Sequence, residues 1–299
     1  MLDNWSGHAS FTYDADVTLD AGRHDLRVEF FQHVGGYELW LQIAPRTPDA
    51  RRLAASLGGG IPQLEAHLVN VTHRSLAAPD DVALAGELAY VQGMAGRFDE
   101  SRATYARVVR MDPGQRLNAY FLACLHAHQN DASAYAEHCA AMLDRFGGAT
   151  APVECEQIVR ACCIAPGPAS AAAAAGLANL ADRLRGAGEN SAHSPWYRLA
   201  TAMYDYRSGR AADALAGFRQ AASGLRPEET AARLTADLFA AMCEQALGRA
   251  DDARTSLART RATFDEQAPI PHVDFIPHGQ LDHWLVCYTV LREARGVIR

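Results

Sequence analysis

One spacing recurs three times in this chain and limits what it can become. A small residue (Ala89, Ala202 or Ala241) is followed seven positions later by glycine (Gly96, Gly209 or Gly248). Five residues on stands a second small residue, Ser101, Ala214 or Ala253. Four further on comes a large apolar one, Tyr105, Phe218 or Leu257. Each glycine is followed by arginine, and an acidic residue comes two to three positions after that: Asp99 and Glu100, Asp213, or Asp251 and Asp252. Each element has a physical task. Small residues let two antiparallel helices approach. Gly-Arg ends the first helix, because glycine adopts the left-handed cap without steric cost. The acid sits in the first turn of the second helix, where the helix dipole favours negative charge. The large residue fills the gap one turn later, and Asp112-Pro113 stops the second helix of the first unit.

Apolar residues at three- and four-residue intervals extend this pattern from Ile61 onward. The spacing predicts helices at about 62–77, 81–95, 98–111, 115–129, 132–146, 152–164, 169–186, 195–208, 211–225, 228–247, 250–265 and 280–297. The proline-bearing stretch 266–279 is expected to be irregular. A degenerate unit runs from Tyr120 to Phe146, with Asn130-Asp131 where the others have Gly-Arg. Residues 152–186 read as a divergent helix pair.

The first 45 residues follow a different period. Leu26, Val28 and Phe30 alternate with Arg27 and Glu29, and Glu38 to Ile43 alternates again, with turn signals at Asp20–Arg23 and Val34–Gly36. This is the period-two pattern of half-buried strands. Gly58-Gly59-Gly60 closes a linker. The expected organisation is a small antiparallel β segment at 1–45, a linker at 46–60 and a helical repeat domain at 61–299.

The repeated unit resembles the tetratricopeptide repeat, a 34-residue helix-turn-helix element. Segments such as His138 to Gly148, Val159 to Pro166, Ser194 to Ala200 and Asp282 to Leu285 look like the tetratricopeptide regions of large planctomycete-type bacterial signalling proteins. The resemblance covers roughly residues 80–298, and no kinase motif accompanies it. Val17 to Phe31, with Gly35-Gly36 and Glu38 to Leu41, looks like the closing strands of a PA14-type β-sandwich, about a third of that family's domain. The resemblances imply a mainly α chain forming an α-α superhelix. They also imply a scaffold that binds a protein or peptide partner in the concave groove formed by first helices. Carbohydrate or surface recognition through the PA14-like segment is the alternative.

In that architecture the exposed groove positions are Tyr90, Met94, Tyr120, His128, Trp196, Leu199, Met203, Tyr206, Arg207, Leu238, Met242 and Gln245. The partner-binding set drawn from them is Tyr90, Met94, Tyr120, His128, Trp196, Met203, Tyr206, Arg207, Met242 and Gln245. It is rich in the aromatic, Met and Arg residues that interfaces enrich. The basic and Asn residues with which some tetratricopeptide proteins clamp a terminal carboxylate are absent, so an apolar or extended peptide is the expected ligand.

Composition narrows the chemistry. All 28 basic residues are arginine, which excludes Schiff-base chemistry, a P-loop lysine and a lysine base. The net charge of −7 argues against nucleic acid or an anionic membrane as partner. Met1 to Trp5 begins polar, without a secretory pattern, and no apolar run nears the ~20 residues that span a bilayer. Seven cysteines without a disulfide framework then predict a reduced, cytoplasmic protein with buried thiols.

Two clusters invite a metal reading. His126, His128, His138 and Cys139 match no zinc spacing. His272, His278, Asp282 and His283 surround the proline-rich stretch but complete no recognised motif. Cys155 and Cys162 share a helix face, with Cys163 adjacent, and are read as core thiols. No G-x-S-x-G, H-E-x-x-H, P-loop or G-x-G-x-x-G is present. The expectation is a non-enzyme with no catalytic residue, no metal and no cofactor.

Overall fold

Gly96, Gly209 and Gly248 stand at bends between consecutive helices in the computed structural model of the chain, with φ of 65°, 78° and 77°. The model describes residues 62–166, 171–187, 191–270, 276 and 279–298. All belong to the second of two units into which the chain divides, 44–299. The β segment expected at 1–45 and the linker at 46–60 lie outside the described residues.

Among the described residues there are twelve helices: α1 (Pro62–Ala77), α2 (Val82–Met94), α3 (Phe98–Met111), α4 (Arg116–His128), α5 (Ala132–Phe146), α6 (Pro152–Cys162), α7 (Ala171–Arg185), α8 (Ser194–Arg207), α9 (Ala211–Gly224), α10 (Thr230–Ala246), α11 (Ala250–Gln267) and α12 (Leu281–Val297). The chain is therefore mainly helical. None of these helices is long and apolar enough to cross a membrane.

Four bends share one closure. At each, the residue after the left-handed position donates its N–H to the carbonyl five residues back: Arg97 to Gln92, Asp131 to His126, Arg210 to Asp205 and Arg249 to Glu244, at 2.8–3.1 Å. This closure satisfies carbonyls that a helix end otherwise leaves open. The degenerate unit joins the set because Asn130 takes the same conformation, φ 60°, which asparagine tolerates better than other non-glycine residues. Asp131 then caps α5, its carboxylate accepting the Ala134 N–H at 3.1 Å.

The small residues are buried where the spacing puts them: Ala89, Ser101, Ala202, Ala214, Ala241 and Ala253. Ser101 Oγ donates to the Ala89 carbonyl across α2 and α3 at 2.6 Å. A Cβ added at Gly217 would lie 2.9 Å from that of Ala202, so α8 and α9 touch nearly backbone to backbone.

Helix order sets the layers. Consecutive helices pack on each other, and α4, α6, α8, α10 and α12 each touch the next. The last of these, α12, also touches α4 and α2. Five helices thus close a ring, with odd-numbered helices outside it. The reason lies in α12 itself. From Leu281 to Leu291 only His283 and Tyr288 are half-buried and the rest are buried. A helix apolar on every side needs cover on every side. Six large apolar side chains are hidden there: Leu281, Trp284, Leu285, Val286, Val290 and Leu291. At ~1.5–3 kcal/mol each, their burial contributes roughly 9–18 kcal/mol, comparable to the net stability of a whole domain.

Candidate functional site

The residues expected to line an open groove surround α12 instead. Met94, Tyr120, Leu199, Met203, Leu238 and Met242 are buried, whereas the spacing had suggested exposed positions. Tyr90, His128, Trp196, Tyr206, Arg207 and Gln245 are half-buried. The expectation of exposure fails because the last helix turns inward onto the first helices.

Two polar tiers hold α12 in the ring, the first buried and the second reaching the surface at Arg292. The first is centred on Arg160 of α6. Its guanidinium lies 4.9 Å from the ring centres of both Tyr120 on α4 and Trp196 on α8. Its Nε is 2.7 Å from Glu156, though poorly aligned for a hydrogen bond, and its Nη1 is 3.9 Å from Asp282 of α12. Burial alone would lower the Arg160 pKa, but Glu156 and the neighbouring groups more than offset it and keep the guanidinium charged. Burial raises the Glu156 carboxyl above its ordinary value, against the pull of Arg160. His283 lies against Trp196 with ring centres 4.7 Å apart and planes tilted by 32°, and its Nε2 is 3.3 Å from Asp282. Burial holds this imidazole below its ordinary pKa. The Trp196 indole donates to Glu229 at 3.1 Å. The phenol oxygen of Tyr120 is buried without a hydrogen-bond partner.

The second tier lies at the other end of α12. Arg207 Nε donates to the Cys163 carbonyl at 3.1 Å and Nη2 to that of Ile164 at 2.7 Å. Both Nη atoms also grip Glu293, with Nη2 to Oε2 at 2.7 Å. The guanidinium lies over the rings of Tyr206 and Phe239. Arg292 donates to the carbonyls of His128 and Ala127 at 2.7 and 2.8 Å, placing a cation at the C-terminal end of α4, where the helix dipole favours it. On α8, Trp196 near the start meets His283 and Arg207 at the end meets Glu293, so α12 runs in the same direction as α8.

Beside the first tier is a cavity of about 10 Å³ bounded by Arg160, Trp196, Met203, Thr235, His283 and Val286, room for about one water. An open depression of about 360 Å³ lies outside, between the α8–α9 bend and the end of α10. The other four helices of the ring, with α2, thus form the seat that α12 occupies. No protein-family model matches the chain, and no curated protein matches it.

Four of the ten residues selected from sequence grip α12 or its lead-in directly. Tyr90 Oη accepts the Gly279 N–H at 2.7 Å. His128 meets Tyr288 edge to face at 5.8 Å. Trp196 and Arg207 make the contacts above. Arg160, Asp282 and Glu293 were missed as helix-gripping residues. The signal for them was a charged side chain at a core-facing position of an apolar helix.

The metal candidates separate. His126 and His138 face each other at 5.7 Å, and His138 Nε2 lies 2.8 Å from the Ala119 carbonyl. His128 lies against Phe98 instead. Among the described residues no three His, Cys, Asp or Glu side chains are placed to hold a metal. His272 and His278 lie outside the described residues, while Asp282 and His283 serve the first tier. All seven cysteines are free and buried. Burial pushes Cys163, Cys243 and Cys287 up to about 12.

Proposed function

We propose that the chain is a protein–protein interaction scaffold of the tetratricopeptide type, whose inner face is a receptor for an α-helix. Its own α12 fills that receptor, and a partner helix enters by exchange. The repeat identity is supported by the shared bend geometry and by the 34 residues separating Gly96 from Asn130, one period of that family.

The observation that carries the reading is the seat of α12. Helix-in-groove recognition lays apolar anchors at helical spacing into a groove, and here the anchors are held at both ends by Arg160 and Arg207. The magnitude of the burial selects the ligand. A partner must replace roughly 9–18 kcal/mol of apolar burial. A helix of similar length and all-round apolar character can do so. An extended segment, which turns alternate side chains away, does not. The expected ligand is accordingly a helix and not an extended peptide. The ionisable groups of the ring interior are engaged with one another around a very small cavity, which favours a binding role over a catalytic one.

The test introduces a protease site into the 268–280 connection, cuts it, and adds a labelled peptide of residues 279–299. Exchange of the labelled peptide for α12, absent with a scrambled peptide, is expected. A cut protein that takes up no peptide, even at denaturant concentrations just below its unfolding transition, overturns the reading.

A further inference from the structure

Building on the helix-receptor reading, we propose that the exchange partner is a second copy of this chain. Two chains would trade α12 reciprocally and form a two-fold dimer. The argument starts from complementarity. The helix shown to fit the seat is α12: its Asp282 and Glu293, eleven residues or three turns apart, meet Arg160 and Arg207, and its Leu281 enters the space left by Gly93 of α2. A second copy brings that helix without any further adaptation.

The side chains that grip α12 and its lead-in, Tyr90, Arg160, Trp196 and Arg207, all lie on the N-terminal side of residue 268. The seat in another copy offers the same side chains, and the contact of α12 with the connection itself, Tyr288 Oη donating to the Pro269 carbonyl, has to be re-formed with the other copy's connection. The connection from Gln267 to Leu281 holds thirteen residues, a reach of up to ~43 Å when extended. Reciprocal exchange of an identical element is a low-cost route to a closed dimer. Opening α12 within a folded monomer exposes much apolar surface, so exchange, with a second copy as with any partner helix, takes place chiefly during folding or refolding, and a second copy is favoured at high chain concentration.

Gly93 and Leu281 supply the test. A Cβ added at Gly93 would lie 2.7 Å from Leu281 Cδ2, so Gly93→Ala crowds the seat, and Leu281→Ala makes room on the helix. The two full-length single variants are unfolded and refolded together, then separately, and sized by light scattering. In a reciprocal dimer each seat is repaired. One pairs the crowded seat with the shortened helix, and the other is wild type. The expected result is a species of twice the chain mass, containing both variants, at least tenfold enriched over dimers in either variant alone. The double variant in one chain should repair itself and remain mostly monomeric, which shows that the substitutions are compatible with folding. Mixtures that stay monomeric while that double variant folds overturn the proposal. Failure of peptide uptake by the cut chain removes the receptor reading itself. Peptide uptake without a mixed dimer removes only the second copy as partner.

Discussion

Tyr105 and Phe121 stack with ring centres 5.4 Å apart and planes 4° from parallel, and Phe218 and Phe239 repeat this at 5.0 Å and 6°. In each case the first ring lies nine residues after the left-handed bend, and the second belongs to the following helix. The stack joins one unit to the next. Phe239→Ala, which also loses an edge-to-face contact with Tyr206, should cost about 3–5 kcal/mol. Urea unfolding will read this as a lower midpoint with unchanged slope. Phe239→Leu should retain more than half of the stability lost by the alanine variant.

Arg207 holds α12 to the ring. Arg207→Ala leaves Glu293 and the carbonyls of Cys163 and Ile164 without their shared donor. The expected loss is about 2–3 kcal/mol, below the cost of breaking a fully buried pair because both partners keep some contact with solvent. Faster proteolysis within the connection before α12 should accompany it. A variant as resistant as wild type would mean that α12 is held by its apolar surface alone.

The bends make a graded series. Gly209→Ala and Gly248→Ala force a Cβ into the left-handed region and should each cost about 1–2 kcal/mol. No atom lies within 4 Å of the added group at either site, so backbone strain is the whole effect. Asn130→Gly should be close to neutral, and Asn130→Ala should resemble the glycine variants. Thermal unfolding distinguishes them.

Acid should destabilise the ring through its histidines. Burial pushes His126 and His128 down to about 4, with His138 and Arg102 adding to the shift at His126 and Arg292 at His128. The folded pKa is below the unfolded value of about 6.5, so the unfolded chain binds more protons in between. Stability from these groups is fully present above about pH 6.5, falls as pH drops toward 4, and levels below that. Urea midpoints measured across this range should show the decline, and His128→Gln should flatten it.

The thiols should be silent in the native protein. All seven cysteines are buried, and the thiolate is the reactive form. An aromatic disulfide reagent at pH 8 should modify fewer than one thiol per chain within minutes, and all seven in denaturant. Rapid modification of the native chain would contradict the packing around α5 and α6.

The helices were legible in the sequence because their signals are local. Gly-Arg bends, apolar periodicity and buried small residues placed α1, α3 and α5 at the bounds observed, and most other ends within two residues. What α12 does was not legible from its period. Its meeting with Tyr90 and His128 joins residues far apart along the chain, and local spacing carries no information about such pairs. A clue was present in Leu281 to Leu291, where eight of eleven residues are apolar and are spread around the helix, whereas a terminal capping helix should keep one polar flank. The same oversight made Met94, Tyr120 and Met203 read as exposed.

Open helical stacks can lengthen or shorten by whole units, since each touches only its neighbours. Ring closure removes that freedom here. Inserting or deleting one helix pair would carry Gly93 and His128 away from Leu281 and Arg292, leaving the terminal helix nothing to close against. Evolution of this chain should therefore proceed by substitution at a fixed number of units, and its inner wall is completed only once α12 has been synthesised.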